Sequence, residues 1–72
     1  MDLEVFRYII GVKINGKDHP KAATNILESA EAVYIDLVLR HNTEEDNHIF
    51  VYLFDFEKNT NIGEYDNYLD RS

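Results

Sequence analysis

The side chains best suited to chemistry here are three histidines and fourteen carboxylates, because the 72-residue chain contains no cysteine. His41 and His48 bracket Glu44, Glu45 and Asp46, which offers nitrogen and oxygen ligands to a borderline cation such as zinc. Their separation in a polar stretch fixes no ligand geometry, and His19 stands apart in the sequence, so all three read as solvated histidines. Asp55 to Asp66 approximates a calcium loop, with Asp55, Glu57, Asn59, Asn61 and Asp66 at positions 1, 3, 5, 7 and 12. Thr60 stands where the sharp turn needs glycine, and the last ligand is aspartate, so an asparagine-rich surface loop is the better reading. No serine or threonine lies in a nucleophile-elbow pattern, and thiol nucleophiles are absent. Paired carboxylates do acid–base work only in a cleft that separates their pKa values, and nothing in the sequence supplies one. The expectation is a protein that is not an enzyme and takes no cofactor or metal.

The acids are unevenly spread. Residues 41–70 hold eight acids (Glu44, Glu45, Asp46, Asp55, Glu57, Glu64, Asp66, Asp70) and one base, Lys58, within a chain of net charge −7. A compact chain of this length spans roughly 30 Å. Seven net charges over that span give one per ~4 Å, against one per ~1.7 Å of duplex axis. A dimer that aligned two acidic halves would approach the duplex value. Such a chain is repelled by nucleic-acid phosphates and anionic membranes and attracted to basic surfaces. The aromatic alternation Phe50, Tyr52, Phe54, Phe56 looks like a base-stacking platform, but its surroundings are acidic rather than basic, so packing or dimer contact is the expected role.

In size, acidity, lack of cysteine and aromatic content the chain resembles the phage-encoded DNA-mimic and host-takeover inhibitors. That resemblance implies a non-enzymatic protein in the host cytoplasm, bound to the DNA-binding surface of a basic host protein, for example a nucleoid-associated one. Glu44, Glu45, Asp46, Asp55, Glu57, Glu64 and Asp66 would then form the partner-binding surface, and Phe50, Tyr52, Phe54 and Phe56 the interface of a homodimer. The class shares no alignable motif and fixes no fold. The competing expectation is a small interaction or regulatory module, antitoxin-like, that binds through an apolar sheet face or sheet edge.

These residues need elements to position them. Residues 3–14 alternate, with Phe6, Tyr8, Ile10, Val12 and Ile14 on one face, and predict a long strand with Gly11 as a bulge or close-packing site. Asn15-Gly16 is a turn dipeptide. Because no obvious strand follows it at hairpin spacing, it reads as a strand-to-helix turn. A helix is expected from about Pro20, capped by Asp18 or His19, with Ala22, Ala23, Ile26, Leu27 and Ala30 as its stripe. Residues 33–40 are β-branched and aromatic enough to favour a strand, although a 3–4 spacing also allows the helix to run on to about residue 41. The polar stretch 41–48 reads as a hairpin connection and 57–63 as a second loop. Ile49 to Phe56 is apolar on both faces, which marks a central strand. Tyr65, Tyr68 and Leu69 suggest a short terminal helix or arm.

The expected architecture is therefore α+β: one domain over 1–72, a β-α-β-β sheet of three strands with one helix on one face. Strands one and two would be parallel and strand three would lie between them. One helix cannot cover both faces, so an apolar face is left over, and an exposed patch of that kind marks an interface. No apolar run reaches the roughly 20 residues that span a bilayer, and the basic start of a secretory signal is missing.

Overall fold

The computed structural model describes residues 6–69. Residues 3–5 of the expected first strand, and Asp70, lie outside that range. The order is β1 (Tyr8–Ile14), β2 (Lys17–Thr24), α1 (Leu27–His41), β3 (Ile49–Asp55) and β4 (Thr60–Asp66). The four strands form one sheet in the order β2-β1-β3-β4, and every pairing is antiparallel. The α+β class, the single helix on one face and the interior place of Ile49–Asp55 agree with the sequence reading. The strand count, the parallel pairing and several boundaries do not.

The first correction lies at Asn15-Gly16. Both residues take positive φ, 53° and 86°, which closes a two-residue hairpin whose twist matches its strands. The chain therefore returns as β2, where a helix start was expected. Pro20 sits inside this strand, as proline can on a sheet edge where no neighbour needs its N–H. Ile26 and Leu27, assigned to a buried stripe, are exposed.

The second correction concerns residues 33–40, which are helical rather than extended. Ala30, Val33, Tyr34, Leu37 and Val38 recur at spacings of three and four and meet the sheet. The alternation of Val33, Ile35, Leu37 and Leu39 misleads because Ile35 and Leu39 point to solvent, 55% and 64% exposed. Helix start and stop follow from neighbours: Thr24 Oγ1 accepts from the Ile26 N–H at 3.1 Å, and Arg40 and His41 close the last turn.

The third correction is β4, formed by residues expected to be a loop and part of a terminal helix. Asn59 takes φ 54° to close the turn from β3. A register shift against Leu53/Phe54 displaces the pattern by one residue near Ile62, so the sequence shows no clean alternation. Tyr65 lies in this strand, Tyr68 follows in a turn, and Leu69, the last described residue, has 3-10 helical backbone.

The core is one-sided. Tyr8, Ile10 and Val12 of β1 and Ile49, Val51 and Leu53 of β3 pack with Ala30 and Leu37 of the helix. Each fully buried aliphatic side chain contributes about 1.5–3 kcal/mol. The opposite face is helix-free and carries Ile9, Gly11 and Lys13 from β1 across from Phe54, Tyr52 and Phe50 of β3. Tyr52 is only 8% exposed there because its ring lies flat over Gly11 and its hydroxyl donates to Asp18 Oδ1 at 2.8 Å. Burial first, and then the Asp18 bond, push the Tyr52 phenol well above its ordinary pKa.

The Gly11 contact makes a prediction. A Cβ added at Gly11 would lie 2.5 Å from the Tyr52 hydroxyl and 3.0 Å from the His19 carbonyl oxygen. Gly11→Ala should therefore lift the ring, break the Asp18 bond and cost about 1–3 kcal/mol. Thermal unfolding measures this, and a Tyr52→Ala background should absorb most of the loss. An unchanged midpoint for Gly11→Ala would refute the flat-ring account.

Candidate functional site: the acidic corner and the helix-free face

Six of the seven acids singled out in the sequence separate into two groups at opposite ends of the sheet, and Glu64 lies between them, opposite Tyr52. Asp55, the last residue of β3, and Glu57, in the turn that follows it, come together on Arg7. The Arg7 Nε and a terminal nitrogen each lie 3.2 Å from one Asp55 oxygen, a bidentate fork. A further guanidinium nitrogen lies 3.1 Å from Glu57 Oε2. Asp55 is 1% exposed, and its Oδ1 also accepts from the Glu57 N–H at 2.9 Å. The Arg7 bond and then the turn N–H groups hold its carboxyl below the usual carboxylate range, against the opposing effect of burial. Asp55 is thus enclosed, where it pairs with an arginine and shapes the β3–β4 turn. That geometry also removes the calcium-loop arrangement, since the residues from Asp55 to Asp66 form a hairpin.

Four of the remaining five, Glu44, Glu45, Asp46 and Asp66, meet at one corner, where the α1–β3 loop passes the end of β4, and Glu64 lies two residues along β4. Asn67, 1% exposed, joins the loop to β4. Its Oδ1 accepts from the Ile49 N–H at 2.7 Å, and its Nδ2 donates to the carbonyls of Glu44 and Asn47 at 3.1 and 2.9 Å. Asn15 in the β1–β2 turn extends the network, donating to Asn47 Oδ1 and accepting from the His48 N–H. Two of the five acids hold the corner's shape. Glu44 Oε1 accepts from the Asp46 N–H at 3.1 Å, and Asp66 Oδ2 lies 2.8 Å from His48 Nε2. The His48 bond first, with the N–H groups of Tyr68 and Leu69, lowers the Asp66 pKa. The Tyr68 ring stacks on His48 at 4.7 Å between centroids. Glu45, Asp46 and Glu64 are left exposed, and neither the 42–48 loop nor β4 contains lysine or arginine.

His41 ends the helix, His48 pairs with Asp66, and His19 lies on β2, so the loop histidines do not converge. Among the described residues no group of three or more His, Asp or Glu side chains is placed to hold a metal ion. Also among the described residues, no helix is long and apolar enough to cross a membrane.

The aromatic stripe lies on the helix-free face. Phe50 and Phe54 are half-buried, Phe56 is 42% exposed, and Phe54 and Phe56 meet edge to face at 4.9 Å. Ile9, Pro20, Ala23, Tyr52, Phe54 and Phe56 line an open groove of about 430 Å³. At the other end of the face Lys13 reaches over Phe50, 6.0 Å from its centroid. Sequence reasoning missed Arg7 and Asn67. The even spacing of Asp55 and Glu57 was a visible sign of a shared partner, whereas nothing local distinguishes Asn67 from the exposed asparagines around it.

No protein-family model, curated protein or solved structure matches this chain.

Proposed function

We propose that this chain is a non-enzymatic acidic binding protein that docks its α1–β3 corner on the basic surface of a nucleic-acid-binding protein and so blocks nucleic-acid binding there. One observation carries the reading: at the α1–β3 corner Glu45 and Asp46 stay exposed, with Glu64 exposed on β4 nearby, no lysine or arginine in the loop or in β4, and a frame fixed by Asn67, Asn15 and the Asp66–His48 pair. A fixed array of like charge speeds encounter with an opposite surface and makes binding salt-sensitive. Three exposed acids outside the Arg7 cluster are fewer than the seven first assigned, so the contact is compact rather than a long duplex-like stripe.

The triple reversal Glu45→Lys, Asp46→Lys, Glu64→Lys should leave the circular dichroism spectrum unchanged. It should weaken partner binding at least a hundredfold at low salt. The measurement is recovery of DNA-binding proteins on the tagged chain across a salt series, followed by duplex competition with the purified partner. Retained competition by the folded reversal variant would sink this reading. A partner held equally at high salt would point instead to the apolar sheet face, as expected of a regulatory interaction module.

A further inference from the structure

We propose that the cleft between α1 and the edge strand β2 is a binding site for a small organic phosphate. This site is separate from the acidic corner and independent of any basic partner. The helix offers β2 a stripe at spacings of three and four, Val33, Asp36, Leu37, Arg40 and His41, and Lys21 lines the cleft from the strand. The space between them is about 490 Å³, within the range of small-molecule sites. Lys21, Arg40 and, when protonated, His41 make this a basic cleft in a chain of net charge −7.

Lys21 reaches the cleft through an irregularity in the strand. In the β1–β2 ladder Pro20 lies opposite Gly11 and Ala22 opposite Ile10, so Lys21 is the extra residue of a bulge. Bulges re-aim side chains and are over-represented beside active sites. The same register puts Lys17 opposite Ile14 and His19 opposite Val12. Ile14 and Val12 belong to the helix-side core, so a second lysine and a histidine share this face of β2. Cations in a last helical turn answer the helix dipole, which accounts for Arg40 and His41. It does not account for Lys21, Lys17 and His19 on the facing strand.

Asp36 is the acid of the cleft lining, and it orients Arg40. Its Oδ2 accepts from Arg40 Nε at 2.7 Å, and among the described residues the two terminal guanidinium nitrogens make no hydrogen bond. A guanidinium held by Nε presents those nitrogens as a fork suited to phosphate oxygens. A carboxylate has two oxygens to divide among three basic side chains. A phosphomonoester has three, with a charge of about −1.5 to −2. Val33 and Leu37 give its carbon part an apolar wall.

A small ligand fits this charge pattern better than a polyanion does. The α1–β3 loop leaves the cleft after His41 and is tied to Asn67 at the end of β4. The sheet order sets β2 and β4 at opposite edges, roughly 14 Å apart by strand spacing. That exceeds the Debye length of about 8 Å at physiological ionic strength. A small ligand therefore meets mainly the local positive charge, whereas a long polyanion would also meet the acids.

Titration of the isotope-labelled full chain, followed by amide chemical shifts, tests this with adenosine monophosphate, inorganic phosphate and adenosine as separate probes. The monophosphate should shift the amides of Lys21 and of residues 33–41 saturably, with a Kd on the order of 1 mM for partly exposed charged contacts. Inorganic phosphate should move the same amides with at least threefold weaker affinity, because it leaves the apolar wall unused. Adenosine should move none of them. Lys21→Gln and Arg40→Gln should each raise Kd at least fivefold with an unchanged circular dichroism spectrum, since both side chains are exposed. Lys13→Gln removes the same charge from the helix-free face and should leave Kd within about twofold. Shifts scattered over the other lysines, adenosine binding as well as its monophosphate, or a Kd that neither cleft substitution changes overturns the proposal. Inorganic phosphate binding as tightly as the monophosphate also overturns it, because the cleft would then read charge alone.

Discussion

Asn67→Ala is expected to destabilise the domain by about 3 kcal/mol, a large part of the total for so small a fold. The side chain is fully enclosed and makes three hydrogen bonds, one accepted from Ile49 and two donated to the Glu44 and Asn47 carbonyls. Alanine leaves the Ile49 N–H without its acceptor at the first residue of a central strand. It also frees the loop that carries Glu45 and Asp46. Unmade buried hydrogen bonds cost more than made ones contribute, so the loss exceeds the simple worth of three contacts. Asn67→Asp separates the parts, because it keeps the acceptor for Ile49 and removes both donors. Urea unfolding gives the stability, and amide exchange at Ile49 shows whether the loss is local to this junction. A change below about 1 kcal/mol would mean that water serves these groups as well as asparagine does.

The same junction links stability to the proposed contact. Glu45 and Asp46 sit on a loop with no regular backbone hydrogen bonding of its own, so their positions depend on Asn67, Asn15 and the internal Glu44 bonds. A loop fixed before encounter loses less conformational entropy on binding than a mobile one. Replacing Asn67 should therefore weaken partner binding beyond what the unfolded fraction explains.

The sequence was most legible where burial and periodicity agree. The alternation of Tyr8, Ile10 and Val12, and of Ile49, Val51 and Leu53, located both strands and grouped their faces, although the first was expected at an edge and lies inside the sheet. It also put Phe50, Tyr52 and Phe54 together on one face, without deciding which of the two faces the helix leaves open. The edge strands were illegible for a physical reason. An edge strand with one solvated face needs few apolar residues, and Lys17–Thr24 and Thr60–Asp66 carry proline, glycine and charges instead. The helix was obscured because Ile35 and Leu39 are apolar yet exposed. For the acids, composition gave the sign of the surface but not its layout. Whether a carboxylate faces a partner or an arginine is decided by strand register, and the register that brings Arg7 to Asp55, 48 residues apart, is a long-range pairing of β1 with β3 that no local pattern fixes.

That register gives the second large effect, at Asp55. Asp55→Asn should lower stability markedly at neutral pH and flatten its dependence on acid. The sign follows from the direction of the shift. Arg7 and the turn N–H groups hold the folded-state pKa of Asp55 below its ordinary value. Its contribution is therefore complete above the unfolded value of about 4, and it is lost as pH falls through the lower folded value. Asp66, lowered by His48, acts in the same direction, so some acid sensitivity remains in the Asp55 variant. Wild-type and Asp55→Asn curves of melting temperature against pH should lie apart near pH 7 and converge at low pH. Arg7→Met should behave differently. It leaves a 1%-exposed carboxylate with only the turn N–H groups, which raises the pKa and moves the acid transition to higher pH. Glu57→Gln should change little, because that carboxylate is 70% exposed and surface pairs contribute little. Parallel wild-type and Asp55→Asn curves would show that Asp55 does not carry the linkage. If they converge, Asp55 belongs to the machinery of folding. Partner binding would then fall to the acids at the far corner, which makes Asp55→Asn the right control for the Glu45, Asp46 and Glu64 reversals: a negative charge lost from the chain without any loss from the surface offered to a partner.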